Sequence, residues 1–261
     1  YTIPRTGVYD LEVRDALYRG REDFVYRIEA GELPFITAMY PLGCTRGATT
    51  RAAIFGWNLP QRRVTLNAHA ATNDAPAVCV RKHHLRSNAM PYASDALPEY
   101  AEAEPNDAAT NAPYIHLPHI VNGIIARPGD VDVLRIEGHA GHELVVDVTA
   151  RTLNSPLDAL VQLTDAAGAV IAWNDDFDDK ASGLSTHAAD AYLRVRLPRT
   201  GTYFVRITDA RQHGGLAYGY RVRIGPPQPD FALRLTPATL NFRAGRTAVV
   251  AVHAVRRDGF D

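Results

Sequence analysis

Between Glu102 and Asp107 the chain reads Glu-Ala-Glu-Pro-Asn-Asp, placing four oxygen-bearing side chains, Glu102, Glu104, Asn106 and Asp107, within six residues. Asp130 and Asp132 follow in the alternating run Gly129-Asp130-Val131-Asp132-Val133-Leu134, and alternate positions of a strand leave the same face. Five carboxylates converging without a cation repel one another. Ca²⁺ takes about 6 to 8 hard oxygen ligands at about 2.3–2.6 Å. A calcium site is therefore expected if the 102–107 segment folds back on the strand edge at Asp130 and Asp132. The competing reading is a solvated acidic linker beside a surface Asp-x-Asp. A second acidic run, Asn174-Asp175-Asp176-Phe177-Asp178-Asp179, lacks the D-x-D-x-D-G spacing of a calcium loop and reads as a charged hairpin loop.

Other reactive residue types form weaker patterns. His83-His84, His116-x-x-His119 and His139-x-x-His142 invite a zinc reading, but without a helix or strand to aim each pair they read as surface histidines. H-E-x-x-H, G-x-S-x-G, C-x-x-C and a Gly-rich phosphate loop opening a helix are all absent from the sequence, so the chain is expected to be non-catalytic. Trp57, Trp173, Tyr192, Tyr218 and Tyr220 either fill a core or form a platform for a sugar or peptide polymer. The two cysteines, Cys44 and Cys79, either bridge, as a pair in one small exported domain most simply would, or are separate buried thiols.

The elements that must position these groups are strands. Tyr203, Val205 and Ile207 alternate, as do Leu144, Val146 and Val148, and Tyr218, Tyr220, Val222 and Ile224, the period-two pattern of a half-buried strand. Strands recur about every 8–12 residues with no amphipathic helix between them, which predicts an all-β chain of sandwiches or barrels. A composition 46% hydrophobic and 22% charged is that of folded protein, and a net charge of −1 offers no basic field for nucleic acid or a membrane surface. No apolar run approaches the roughly 18 residues of a membrane-spanning helix.

A repeat organises the chain. Ile3-Pro4-Arg5-Thr6-Gly7-Val8-Tyr9 recurs as Leu197-Pro198-Arg199-Thr200-Gly201-Thr202-Tyr203, and the same 194-residue register pairs Asp15-Ala16 with Asp209-Ala210 and Tyr26-Arg27-Ile28 with Tyr220-Arg221-Val222. Self-similarity at a fixed offset marks a repeated structural unit. With the Pro clusters as boundaries, residues 1–31 read as the last strands of a truncated domain, 32–97 as a small sandwich, 99–225 as a complete one, and 230–261 as the first strands of another. The chain is thus expected to begin inside a domain of a longer protein. Its end pieces are expected to be completed by other domains of that polypeptide or by a second chain.

The 99–225 unit resembles the bacterial pre-peptidase C-terminal domain family, which includes collagen-binding domains of clostridial collagenases. Glu102-Ala103-Glu104-Pro105-Asn106-Asp107 is similar to the family's opening E-x-E-P-N-[ND], Asp130 to Ile136 to its D-x-D-x-[FL]-x-[FI] strand, and Pro198 to Ile207 to its closing P-x-x-G-x-Y-x-[VL]-x-[VI]. Residues 1–31 resemble the same closing part. Leu33 to Gly43 and Ile54-Phe55-Gly56-Trp57-Asn58-Leu59 are similar to immunoglobulin-like (IPT/TIG-like) domains, in which Cys44 has no counterpart. The resemblance implies a jelly-roll-like sandwich after an immunoglobulin-like one, with Glu102, Glu104, Asn106, Asp107, Asp130 and Asp132 as calcium ligands and the Val133 carbonyl helping. It also implies accessory or spacer modules of a large exported bacterial protein, located outside the cell, on its surface or in the periplasm. Two alternatives stay open: a direct binding module for a collagen-like or polysaccharide polymer, and the accessory region of a secreted peptidase.

Overall fold

The computed structural model describes residues 2–22, 24–67, 76–177, 190–237 and 239–260. The chain divides into two compact units, Tyr1–Glu32 and Leu33–Asp261.

The described residues of the first unit form no strand, where closing strands are expected from sequence. The reason is pairing: in the second unit the matching strand, Gly201–Asp209, is held between two partners, and residues 1–32 contain no equivalent of either. Val8, Val25 and Tyr26 are consequently exposed. Local structure nonetheless matches across the 194-residue offset. The Tyr9 hydroxyl donates to the Arg5 carbonyl at 2.5 Å, as the Tyr203 hydroxyl does to Arg199 at 2.7 Å. The Asp15 carboxylate accepts from the amides of Leu17 and Arg19, as Asp209 does from Arg211 and His213. Tyr18 and Gln212 take the same left-handed φ, 56° and 57°.

Among its described residues the second unit is all-β apart from one 3-10 turn at Arg151–Leu153. Its first part contains Phe35–Tyr40 (β1), Gly43–Thr45 (β2), Thr49–Trp57 (β3), Arg63–Asn67 (β4), Ala77–Val78 (β5), Arg81–Lys82 (β6), Leu85–Arg86 (β7), Met90–Pro91 (β8) and Ala93–Asp95 (β9). A three-stranded sheet β1-β3-β4 and the pairs β2-β9, β5-β8 and β6-β7 enclose Ile36, Met39, Leu42, Ile54, Leu66 and Met90. Leu153, from the 3-10 turn of the following sandwich, joins this core, so the two parts share apolar surface. Cys44 is buried, Cys79 is half-buried, and neither is in a disulfide. The expected bridge is not formed, because Cys44 packs into the apolar core while the Cys79 sulfur accepts from Arg86 Nε at 2.9 Å.

The sandwich follows with Glu99–Ala101 (β10), His119–Ile124 (β11), Asp132–Gly138 (β12), Glu143–Thr149 (β13), Ala159–Asp165 (β14), Val170–Asn174 (β15), Tyr192–Arg196 (β16), Gly201–Asp209 (β17) and Gly219–Gly225 (β18). A five-stranded sheet, β10-β11-β18-β13-β16, faces a four-stranded one, β12-β17-β14-β15. Their core takes the alternating residues the sequence marks: Leu144, Val146 and Val148 from one sheet, Tyr203, Val205 and Ile207 from the other, with Tyr220, Val222 and Ile224. Asp230–Thr236 (β19) and Ala251–Arg257 (β20) form a separate antiparallel hairpin. It is tethered through Asp258, whose carboxylate accepts from the Tyr192 hydroxyl at 2.7 Å and from Arg223 at 2.8 Å.

Candidate cation site

The acidic residues meet where the edges of the two sheets come together. β10 lies parallel to β11 with Glu99 opposite Ile120, and the Glu102 amide continues the ladder by donating to the Asn122 carbonyl at 3.0 Å. This carries the 102–107 segment from the edge of the five-stranded sheet to β12, the edge of the four-stranded one. There the Val133 amide donates to the Asn106 carbonyl at 3.0 Å. A strand residue directs its N–H and C=O to the same side, so the Val133 carbonyl faces the same segment. The turn Arg127-Pro128-Gly129-Asp130, closed by the Asp130 amide on the Arg127 carbonyl at 3.1 Å, delivers the two aspartates. Gly129 there has φ +77°, the conformation a type II turn requires of its third residue, which here directly follows the Pro.

Of the sequence-designated ligands, Glu104, Asp130 and Asp132 present carboxylate oxygens within 4.8 Å of one another. Asn106 and Asp132 are completely buried and Asp130 nearly so. Asn106 Oδ1, Asp107 Oδ1, Asp130 Oδ1 and both Asp132 oxygens are buried with no hydrogen-bond partner. Unmet buried oxygens are costly, and those gathered here are all hard acceptors, the donor set of a hard cation. These residues fit calcium.

Glu102 is placed differently. Its Oε1 accepts from the Ile124 amide at 2.5 Å, and its Oε2 from Asn106 Nδ2 at 3.0 Å and the Tyr220 hydroxyl at 3.1 Å. It therefore orients Asn106 while leaving little free lone-pair capacity of its own. Asp107 and Asp130 share the Arg127 guanidinium, at 2.8 and 3.4 Å. Burial raises the Glu102 carboxyl above its ordinary range. Burial, and next the Glu102 charge, push Asp132 up to about 9. Both shifts mark a buried acidic pair for which keeping the charged form is costly.

Several contributors carry no local sequence signal. Tyr220 is completely buried and belongs to the core and the acidic cluster, not to an exposed aromatic platform. Gly123 lies under its ring, where a Cβ would sit 2.2 Å from Tyr220 Cζ. Tyr40, from the preceding part, donates its hydroxyl at 3.0 Å to the Asn122 carbonyl that also receives the Glu102 amide. Burial and the charges of Glu102 and Asp132 raise the Tyr40 phenol. Beside it the almost wholly buried Arg221 pairs with Glu99 at 2.8 Å. The acidic cluster thus adjoins the contact between the two parts of the unit. Of the other aromatics, Trp57 and Trp173 are exposed and Tyr192 and Tyr218 half-buried. In the second acidic run Asp178 and Asp179 lie outside the described residues.

No family model matches the chain. Over 108 residues, 40% of its length, it is 33% identical to a probable subtilase-type serine protease of Deinococcus radiodurans, and the match spans 14% of that protease. Among solved structures it is similar to the pre-peptidase C-terminal domain of a collagenase from Bacillus anthracis, at 12% identity and TM-score 0.33 over 49% of this chain and 96% of that one. It is also similar to PliG of Aeromonas hydrophila, a periplasmic lysozyme inhibitor of g-type lysozyme, at 13% identity and TM-score 0.28 over 49% of this chain and 97% of that one. Among the described residues no helix is long and apolar enough to cross a membrane.

Proposed function

We propose that residues 33–225 are non-catalytic accessory modules of a larger exported bacterial protein. A calcium ion held by Glu104, Asn106, Asp107, Asp130, Asp132 and the Val133 carbonyl, with Glu102 in support, fixes the linker to the sandwich. The observation that carries this reading is the group of buried oxygens on Asn106, Asp107, Asp130 and Asp132 that accept no hydrogen bond. Because Glu102 and Tyr40 converge on one carbonyl, an ion that holds the 102–107 segment also steadies the contact with the preceding module. The result is a stiff spacer. Residues 1–32, which share the turn and tyrosine hydrogen bonds of residues 197–214, are on this reading the closing part of a second copy of the sandwich.

Extracellular calcium modules bind at about 10⁻⁴–10⁻³ M, which suits millimolar calcium outside a cell; on this reading the protein works at the cell surface, in the periplasm or beyond. Binding to the folded state alone stabilises by about 2.7 kcal/mol at a hundredfold excess over Kd. The test is thermal unfolding of the 261-residue chain in calcium, magnesium and chelator, with Asp130→Ala alongside. Calcium is expected to raise the melting temperature of the native chain and leave Asp130→Ala unmoved. Equal melting temperatures for the native chain in calcium and chelator would overturn the reading.

A further inference from the structure

The outer face of the four-stranded sheet carries side chains that neither the core nor the acidic cluster uses. Residues paired across neighbouring strands leave the same side of a sheet, and the register sets two rows there. In one, Arg135 of β12 lies opposite Phe204 of β17, with Tyr114 bridged to Arg135 on its other flank. In the other, Arg206 of β17 lies opposite Gln162 of β14, and Gln162 opposite Trp173 of β15. The intervening Leu134, Val205 and Leu163 belong to the core. The rows are two residues apart along β17, about 7 Å, and at about 4.8 Å per strand Tyr114 and Trp173 stand about 19 Å apart across the sheet.

Two observations set this face apart from an ordinary solvated one. Its aromatics stand singly: Trp173 and Tyr114 are exposed, at 61% and 39%, and Phe204 is half-buried between them. Its guanidiniums also lack acids. Arg135 lies over the Tyr114 ring at 5.3 Å, and among the described residues neither it nor the half-buried Arg206 has an acidic partner. By contrast Arg127, Arg194, Arg211 and Arg223 of the same sandwich are all ion-paired. Glu137, next along the same face of β12, accepts from the Thr202 hydroxyl at 2.8 Å, and Asp175 and Asp176 lie past the end of β15. Aromatic faces stack on apolar ring faces, and the planar guanidinium fork takes a carboxylate with two hydrogen bonds. Single aromatics with planar polar groups between them therefore match a polymer whose repeating unit has an apolar ring face and a charged edge. We propose that this face binds an acidic polysaccharide, with Trp173, Phe204 and Tyr114 under successive sugar rings and Arg135 and Arg206 holding uronate carboxylates. This adds a ligand to the accessory-module reading and does not rest on calcium, because strand pairing alone presents the five side chains.

The experiment is a calorimetric titration of the full chain with a hyaluronan octasaccharide, in saturating calcium and low salt, with the Trp173 indole resonance followed by NMR. Binding is expected below millimolar ligand, with that resonance shifted. Trp173→Ala, Arg135→Gln and Arg206→Gln should each weaken it at least fivefold, Arg206→Lys should recover part of the loss, and Arg62→Gln, in the preceding module, should leave it unchanged. Raising the salt to about 0.5 M should weaken it, because exposed charges are screened. Absence of binding up to millimolar ligand, or affinity retained in both Trp173→Ala and Arg206→Gln, would overturn the proposal. So would equal binding of an uncharged cello-oligosaccharide or of a poly-glutamate peptide, the second of which would assign the face to acidic peptides. Circular dichroism of each variant separates loss of ligand from loss of fold, and an unbound octasaccharide with an intact calcium-dependent melting shift would leave the calcium site standing.

Discussion

Replacing Asp132 by Asn removes one charge from the acidic cluster without changing its volume, and its effect on stability is expected to have opposite signs with and without calcium. Burial and the Glu102 charge push the Asp132 carboxyl from 3.8 up to about 9. An acid whose pKa is raised on folding binds its proton more tightly folded than unfolded. Its contribution is therefore fully present below pH 3.8 and is lost as pH rises through about 9. Taken to pH 7, with about 1.4 kcal/mol per pKa unit, the loss is at most about 4 kcal/mol. One kcal/mol moves the melting temperature of a chain of this size by about 2–4 °C, so Asp132→Asn in chelator should melt several degrees higher than the native chain at pH 7. The gain should vanish near pH 4, where the native carboxyl is protonated.

Calcium inverts this dependence. The ion binds the charged carboxylates, so the increment it adds should grow as pH rises from about 5 to 8, while the calcium-free chain weakens over the same window. In Asp132→Asn the increment should fall away at every pH, since a fully buried ligand has lost its charge. Differential scanning calorimetry on both chains, at several pH values with calcium or chelator, reads all of this. The reasoning is refuted if Asp132→Asn melts lower than the native chain in chelator at pH 7, or if the calcium-free native chain becomes more stable from pH 5 to 8.

Two further outcomes follow from contacts elsewhere. Asp258, whose carboxylate is wholly buried between Tyr192, Arg223 and the Gln228 amide, ties the β19–β20 hairpin to the sandwich. Breaking a buried pair costs about 3–5 kcal/mol, so Asp258→Ala should make the 226–230 connection the first site cut in limited proteolysis while the sandwich stays resistant; an unchanged cleavage pattern counts against the tether. A thiol reagent should label Cys79 alone in the folded chain and both cysteines after unfolding without reductant, because only Cys44 is wholly buried; finding no reactive thiol in denaturant would mean that the two are bridged.

The all-β class was legible because a sandwich buries one face of each strand, and that face writes itself into the sequence at period two. Tyr203, Val205 and Ile207 show it in β17. Phe24, Tyr26 and Ile28 alternate in the same way, yet the described residues around them form no strand. Alternation records a strand's fitness to be half-buried, and a strand forms only where partners such as β12 and β14 flank it. The acidic residues were legible for a different reason: Glu104, Asn106 and Asp107, and separately Asp130 and Asp132, are each delivered by a few consecutive residues. What short spacing cannot encode is the meeting of the two groups across the edges of opposite sheets, nor the parts played there by Tyr40, Asn122, Arg127 and Tyr220. Those come from tertiary register. On the proposed reading they also matter to the role of the cluster, since a cation held by the 102–107 segment alone would tidy a linker, whereas one held next to Tyr40 and the Asn122 carbonyl would link the rigidity of two modules to a single bound ion.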